Sequence, residues 1–571
     1  MIETKKRLSS DILSAALTVY GNSDLNADTV FEMLEYPPDK SMGDLALPCF
    51  KLSRTFRRSP VEIALKLAEN IDSSVISEAT ALNGYLNFKI SKNYFAGKVV
   101  SRILSEKERY GGSDVGAGKT VVLDYSSPNV AKPFHIGHLG TTVIGHSLKK
   151  LHEFAGYKCI GINYLGDWGT QFGKLIVAYR KWGDKKLIED GGIDKLVELY
   201  VKFHEEAEKD ESLNDMARAE FHKLEAQDEE NIALWKWFLK ISLIEYSKTY
   251  KQLGIEFDNY SGESYFYGDK KDLPIKILRE KGLLKVDDGA SIVDLSEYNM
   301  PPCLILKSDG SSIYAIRDIA SAFWRKEEFN FDKSIYVTSA GQSVHFAQFF
   351  KVIELMGMEW ADRLVHVPYG TVSINGSKLA TRTGNVILLK DLFAMAIDKV
   401  AAVILEKNPN LENKEEIAES VGVGAIVFYY LSNNRIRDIN FMLEDALSFE
   451  GNTGPYVQYT YARTCSILSK ANSLVENVSL NITCEEENEL VQVLSRFPEK
   501  VSEAIEQYEP SVVTRYILEL AGSFNRFYHN CKILGAENEE TVNVRLALTK
   551  AVNITLGNAL ELICLRKTEK I

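Results

Sequence analysis

The sequence predicts a multidomain α/β protein: a central domain on a parallel sheet with a helical insertion, an α+β domain before it, and an all-α bundle after it. Three observations carry this reading. Four short apolar runs, Val121–Tyr125, Cys159–Tyr164, Ser334–Thr338 and Leu364–Pro368, have strand length and alternate with helical stretches, the order of a parallel sheet covered by helices. Between about Lys185 and Tyr250 the chain turns to helix-forming sequence rich in Glu, Lys and Ala, which reads as an insertion. After Asp391 strand signals fade, and apolar residues recur at helical spacing in Leu392–Glu406, Ile417–Leu431, Thr453–Ala471, Glu486–Ile505, Pro510–Tyr528 and Val542–Leu565, as a bundle requires.

The first domain is placed at residues 1–108. It has helical pattern over Ile12–Tyr20, a break at Pro37-Pro38, a second helical segment opening at Met42–Ala46, and short strands around Gly84–Phe88. The glycine-rich stretch Ser105–Gly118 has linker composition and marks the boundary. The central domain is placed at 119–390 with its helical insertion around 185–300, and the bundle at 391–571. A chain of 571 residues exceeds what a single core supports.

Composition excludes several classes. Hydrophobic residues make up 45% and charged residues 26%, with a mean hydropathy of -0.14, and no apolar run reaches the roughly eighteen residues of a bilayer span. The amino-terminal stretch is charged and lacks a secretory pattern, so the cytoplasm is the expected compartment. Seven cysteines, at 49, 159, 303, 465, 484, 531 and 564, contain no Cys-x-x-Cys pair and are odd in number, which argues against a disulfide framework and a structural zinc site. No metal-binding residue is assigned. Net charge is -12, so a polyanionic partner would have to be met by local basic patches, of which Lys51, Arg54, Arg57 and Arg58 form one.

The chemical centre is read at Asp124–His146. An apolar strand leads into a loop stiffened by Pro128 and Pro133, after which Ile144, Leu148, Leu151 and Ala155 make one helical stripe. Strand, tight loop and helix start point free backbone N–H groups at an anion. The loop carries His135-Ile136-Gly137-His138. Two histidines three apart could share a metal, yet no Glu or third ligand accompanies them. They could be structural. Or they donate to phosphate oxygens as charge builds on a leaving pyrophosphate, with Gly137 leaving room for a flat base.

His-Ile-Gly-His after a strand resembles the first motif of class I aminoacyl-tRNA synthetases, and Pro128 to His138 is similar to its arginyl-tRNA synthetase form. The likeness continues through Asn163–Gly173, Asp309–Ser311, Tyr314, Arg317–Ala320 and Phe449–Tyr459. It implies a Rossmann-like catalytic domain, an additional amino-terminal domain touching the tRNA corner, and a helical anticodon-binding domain. It also implies the reaction: L-arginine and ATP give arginyl-adenylate and pyrophosphate, and tRNA(Arg) then takes the arginyl group. Mg²⁺ would travel with the ATP, and a monomer is the implied state. Two rivals are an enzyme of the same superfamily without tRNA, against which the bundle speaks, and a non-catalytic RNA-binding relative, against which the intact motif speaks.

The resemblance also distributes roles. Pro128, His135, Gly137, His138 and Lys378 would bind ATP. Lys378 opens Lys-Leu-Ala-Thr-Arg after Asn375-Gly376, a turn-favouring pair; Thr381 stands where the class pattern has its second lysine, and Lys132 matches the replacement such synthetases use. Lys132, His135, His138 and Lys378 would therefore be catalytic. Asp124, Asn129, Tyr314, Asp318 and Gln342 match positions used for arginine. Asp318 suits the guanidinium, unless it is a helix cap, and Tyr314 would adjoin it. Asp124 could be a second contact, and Asn129 and Gln342 would hold the α-amino and carboxylate end. A pocket demanding a guanidinium needs no editing domain. For tRNA the bundle offers Arg435, Arg437, Tyr456, Tyr459, Tyr461, Arg463 and Phe524–Tyr528, among which Tyr456, Tyr459 and Arg463 are the candidates; about half the set would be core. The resemblance lends Arg54 and Arg57 the tRNA corner.

Overall fold

The computed structural model describes residues 2–21, 24–266, 269–308, 313–374, 377–378, 387–471 and 480–571, with backbone alone at 40, 377 and 378. In the amino-terminal domain an antiparallel sheet, ordered Leu45–Pro48, Tyr85–Ile90, Ile76–Leu82, lies with helices Ile2–Tyr20, Pro60–Asn70 and Lys92–Glu106. Leu8, Ile12, Leu47, Ile63, Leu67 and Phe88 are fully buried in its core. Asn83 and Gly84 both have positive φ, 50° and 82°, between paired Leu82 and Tyr85; this is the left-handed two-residue connection that fits strand twist. The helical segment expected to open at Met42–Ala46 is delayed: Met42 ends a short turn, Leu45–Pro48 is a strand, and helical structure begins only at Cys49. Gly43 sits at φ 129°, closed to other residues by the Phe88 carbonyl 2.8 Å from a would-be Cβ, and all four residues Leu45–Pro48 are buried.

The stretch Ser105–Gly118 is no free tether. Its first residues finish the helix Lys92–Glu106, and Tyr110, 2% exposed, donates to the Leu494 carbonyl. A Cβ on Gly111 would lie 2.3 Å from the Phe497 ring. Gly112 and Gly116 likewise approach the Phe154 carbonyl and the Tyr157 ring, so these glycines serve close packing as well as turning.

The central sheet has four parallel strands, ordered Leu364–Tyr369, Lys333–Ser339, Thr120–Asp124, Lys158–Ile162, and each overlaps a predicted one. From Thr120–Asp124 the chain crosses through helix Leu139–Phe154 to one side; from Lys333–Ser339 it crosses through Ser343–Leu355 to the other. Those two neighbours therefore diverge at their carboxyl ends, which opens a crevice of the kind that binds ligands in parallel sheets. After Thr170–Trp182, three long helices, Lys185–Ala207, Ser212–Glu225 and Glu229–Leu253, open the insertion, and a shorter one, Asp272–Glu280, follows. Helical structure does not persist to 300: Leu284–Asp287, Ala290–Val293 and Cys303–Leu306 form a small antiparallel sheet.

Among the described residues the carboxyl-terminal region from Leu389 is built of helices and one strand. Ile439–Phe441 is a strand that pairs in parallel with Val372–Ile374, which also pairs antiparallel with Ser377–Lys378. Three residues are too few to show as periodicity. The predicted helix Glu486–Ile505 is two, Glu485–Ser495 and Phe497–Glu506, because Pro498 starts the second. Among the described residues no helix is long and apolar enough to cross a membrane.

Candidate active site at the carboxyl ends of the central strands

The loop from Ser126 to Lys132 holds an unfavourable backbone. Ser126, Ser127 and Ala131 all lie at positive φ, 71°, 47° and 59°, a strain that persists only where surroundings over-determine it. They do. Ser126 N–H donates to Thr141 Oγ1 (3.0 Å), whose hydroxyl donates to the Val337 carbonyl, and Ser126 Oγ lies 2.7 Å from Tyr250 Oη. Ser127 N–H donates to Asn163 Oδ1, and Ala131 N–H donates to Ser242 Oγ. The Tyr246 hydroxyl reaches the carbonyls of both Asn129 and Lys132, at 2.8 and 2.7 Å. Ser242, Tyr246 and Tyr250 stand four apart on helix Glu229–Leu253, so one face of the insertion holds the loop. That polar stripe was the signal to read in the sequence.

His135 and His138 form a reciprocal cap: Gly137 N–H donates to His135 Nδ1 at 3.0 Å, and His135 N–H to His138 Nδ1 at 3.2 Å. A ring nitrogen that accepts carries no proton, so each imidazole bears its hydrogen on Nε2. Burial, with the charge of Lys132, holds His135 at about 4; burial, then His135 and Lys132, hold His138 at about 3. Both are therefore neutral near pH 7 and present one N–H donor each. Their centroids lie 4.0 Å apart, and Phe134 stacks on His138 at 5.1 Å. Lys132 itself is exposed, and Pro128 is buried with its carbonyl accepting from Gly166 N–H.

The chain beyond the second motif returns to this loop. Leu389 N–H donates to the Phe134 carbonyl and Ile136 N–H to that of Ile387, so the start of helix Leu389–Lys407 is tied to the histidine turn. The Lys378 backbone lies in the short antiparallel pair, while its side chain, Asn375-Gly376, Asp309–Ser311, Leu379, Ala380, Thr381 and Arg382 fall outside the described residues.

Beside the histidines lies a cluster of acids. Asp124 at the strand end is 7% exposed, and its oxygens already accept from Arg325 (2.6 Å) and Ser127 Oγ (2.8 Å). It thus meets any ligand as half of a buried ion pair. Burial opposes the charge of Arg325, and Asp124 outweighs burial, keeping the guanidinium protonated. Asp318 stands in the second turn of helix Tyr314–Phe329, whose cap is Ile313, so it is not a cap; it lies 2.6 Å from His345 Nε2. Glu263 pairs with Arg317 at 3.2 Å, and burial, with help from Asp318 and Asp167, raises it to about 7. Asp167 accepts from Ser264 N–H and Oγ, and burial raises its pKa too. Three carboxyls thus influence one another around a single arginine. Tyr314 is 65% exposed and faces Arg317, 4.9 Å from its ring. Asn129 is exposed with its Oδ1 against Gly166, and exposed Gln342 ends the turn after Lys333–Ser339. Glu263, Arg325 and His345 escaped sequence reading, since each is a lone residue on a different element.

Comparison with known proteins decides the family. The family described as tRNA synthetases class I (R), catalytic domain, matches residues 99–443, the DALR anticodon binding domain matches 457–571, and the arginyl tRNA synthetase N terminal domain matches 5–90. An arginine–tRNA ligase of Alkaliphilus metalliredigens is 48% identical over 99% of both chains, and one of Clostridioides difficile 50% identical over 96% of this chain and 97% of its own. The chain belongs to the arginine–tRNA ligases. The solved arginyl-tRNA synthetase of Thermus thermophilus shares the fold over 99% of both chains with a TM-score of 0.82 at 24% identity, and that of Plasmodium falciparum does so at 0.81 and 25%.

In this arginine–tRNA ligase the bundle candidates divide. Phe524 and Phe527 are fully buried, and Tyr461 is nearly so. Arg435 is a structural clamp, donating to the carbonyls of Pro368 and Tyr508. Arg463 lies between the rings of Tyr459 and Tyr528, 4.9 Å from each, and donates to Asn525, which in turn donates to Tyr456 Oη. Tyr459 and Tyr528 are 44% and 45% exposed. Arg54 and Arg57 are exposed at the end of a short helix.

Proposed function

We propose the following division of labour for the ATP-dependent ligation of L-arginine to tRNA(Arg) that this family performs. The arginine carboxylate attacks the α-phosphorus, its bond to pyrophosphate breaks, and arginyl-adenylate forms; the terminal ribose hydroxyl of the tRNA then attacks the carbonyl and AMP leaves. His135 and His138 donate Nε2–H to phosphate oxygens, and as neutral donors they strengthen their bonds while negative charge moves onto the leaving group. Pro128 and Gly137 border the nucleotide. Lys132 neutralises the departing pyrophosphate, with Lys378 approaching from the second loop. Asp318 and Glu263 face the guanidinium, Tyr314 closes over it, and Asn129 and Gln342 take the α-amino and carboxylate end. Asp124, its charge shared with Arg325, lends a weaker second contact. Tyr456, Tyr459 and Arg463 meet unpaired tRNA bases, and Arg54 and Arg57 the tRNA corner.

Mg²⁺ we assign to the incoming triphosphate. Among the described residues the cluster of ligating atoms close enough to share a cation lies in the bundle. We further place the enzyme in the cytoplasm as a monomer. The observation that carries this reading is the pair of neutral imidazoles whose Nε2–H groups have no partner among the described residues, beside a pocket richer in carboxylates than in cations. Pyrophosphate exchange into ATP tests it: exchange is expected with arginine and not with lysine or ornithine, assayed with and without tRNA(Arg). Exchange with lysine alone, or none in either condition, overturns it.

A further inference from the structure

Cys484 and Cys531 stand 47 residues apart in sequence, and the fold brings their sulfurs to 3.4 Å. Cys484 is the cap residue of helix Glu485–Ser495, and Cys531 is the last-turn cap of helix Ser511–Asn530. A carboxylate oxygen of Glu486 joins them, with the three ligand atoms all within 4.8 Å of one another. We propose that Cys484, Cys531 and Glu486 form a binding site for a thiolate-preferring divalent cation of the Zn²⁺ type, which staples the start of one bundle helix to the end of another.

Three features beyond proximity support the site. The first is spacing: two thiolates on a tetrahedral zinc at about 2.3 Å stand roughly 3.8 Å apart, so the observed pair needs to open by only a few tenths of an ångström. The second is scaffolding by groups that are not ligands. Asn530 Nδ2 donates to Glu486 Oε1 at 2.9 Å, and Arg545 donates both to Glu487 Oε1 and to the Lys532 carbonyl at 2.8 Å. Both bridges tie the two segments on either side of the sulfurs, the outer-shell support that metal ligands require. The third is charge. Glu487 is fully buried and spent on Arg545 and Thr483, whereas the carboxylate of Glu486 stands beside the two thiols.

Binding would release both thiol protons to solvent and leave a two-sulfur, one-oxygen site. Cys531 is buried while Cys484 and Glu486 are half-buried, so the fourth position opens toward water. Sequence spacing conceals such a site because its ligands come from two helices, with no short Cys-x-x-Cys pair to announce them.

Co²⁺ and Zn²⁺ added to the full-length, chelator-stripped, reduced protein provide the test. One equivalent of Co²⁺ should give the visible and thiolate charge-transfer bands of a tetrahedral sulfur site, and Zn²⁺ should abolish them by displacement. Cys484→Ser and Cys531→Ser should each remove the bands. Glu486→Gln, a half-buried change that preserves shape, should weaken Co²⁺ binding about tenfold or more. The thermal midpoint of the unaltered chain, and not of the serine variants, should rise with Zn²⁺ concentration. Absence of stoichiometric Co²⁺ binding by the reduced chain overturns the proposal, as does survival of the bands in the serine variants. A Cys484–Cys531 disulfide in the freshly isolated protein, with no metal taken up after reduction, overturns it in favour of a redox pair.

Discussion

The ion pair between Asp124 and Arg325 makes a quantitative prediction about how the site is held. Arg325 is 1% exposed, and its head lies 2.6 Å from Asp124, 4.9 Å from the Tyr336 ring and 5.5 Å from the Tyr164 ring. At that separation and an effective dielectric of about 20 the attraction is roughly 6 kcal/mol, most of it offset by desolvation. Asp124→Asn removes the charge while Arg325 stays buried, and among the described residues its Nε and Nη1 already lack protein partners. The single change should therefore destabilise the central domain by about 3–5 kcal/mol. Replacing both, Asp124→Asn with Arg325→Met, should recover all but about 1–2 kcal/mol, because a neutral pair of similar volume carries no stranded charge.

The assay is built into the chain. All six tryptophans, at 168, 182, 235, 237, 324 and 360, lie within the central domain, so urea unfolding followed by tryptophan fluorescence reports that domain. Two results would refute the reasoning. A single change costing under about 1 kcal/mol would mean the guanidinium finds water or another acceptor. A double variant no more stable than the single would mean that Asp124 matters through Ser127 and the strained loop. Arginine KM in the double variant then measures what Asp124 contributes to substrate: a rise under about threefold, less than 1 kcal/mol, places it behind the pocket.

The remaining expectations concern single groups. Lys132→Ala should slow adenylate formation in single turnover far more than Thr381→Ala, and equal effects would remove Lys132 from its role. Asp318→Asn should raise arginine KM by about tenfold or more, the worth of a charge-assisted hydrogen bond, with the tryptophan-reported urea midpoint unchanged; unaltered kinetics would dismiss it from the pocket. His135 and His138 have folded pKa values of about 4 and about 3 against 6.5, so the unfolded chain takes up protons first as pH falls below 6.5. Stability should then decline from about pH 7 to about pH 3, a slope that His146 and His152, lowered likewise by burial, share and that His138→Gln should lessen; an unchanged slope contradicts the lowered value. Tyr246→Phe, which strips the hydroxyl from two carbonyls, should lower kcat more than it raises arginine KM, and a pure stability loss would refute a positioning role.

What could be read in advance follows physical range. The four parallel strands were legible because strand and helix periods are local properties of a few residues, and the histidine turn because strand, proline-stiffened loop and helix start fall within 25 residues. Met42–Ala46 misled for the same reason: leucine and alanine favour helix locally, and only the distant Phe88 carbonyl and strand Tyr85–Ile90 make it a strand. Ser105–Gly118 misled because glycine serves both flexibility and close approach, and only the packed groups Phe154, Tyr157 and Phe497 distinguish them. The acid pocket was half legible. Asp318 announced itself beside Tyr314 and Arg317, but the groups that complete the cluster, His345 against Asp318, Glu263 against Arg317 and Arg325 against Asp124, lie on three separate elements, and nothing local marks a residue whose role is to face another. The loop holding Asn129 and Lys132 shows the same division at one atom: the sequence names both side chains, while the hydroxyl fixing their backbone belongs to Tyr246, 114 residues beyond Lys132. Chemistry carried by a contiguous motif can be read from the chain; the geometry that makes it a site depends on groups the fold alone brings near.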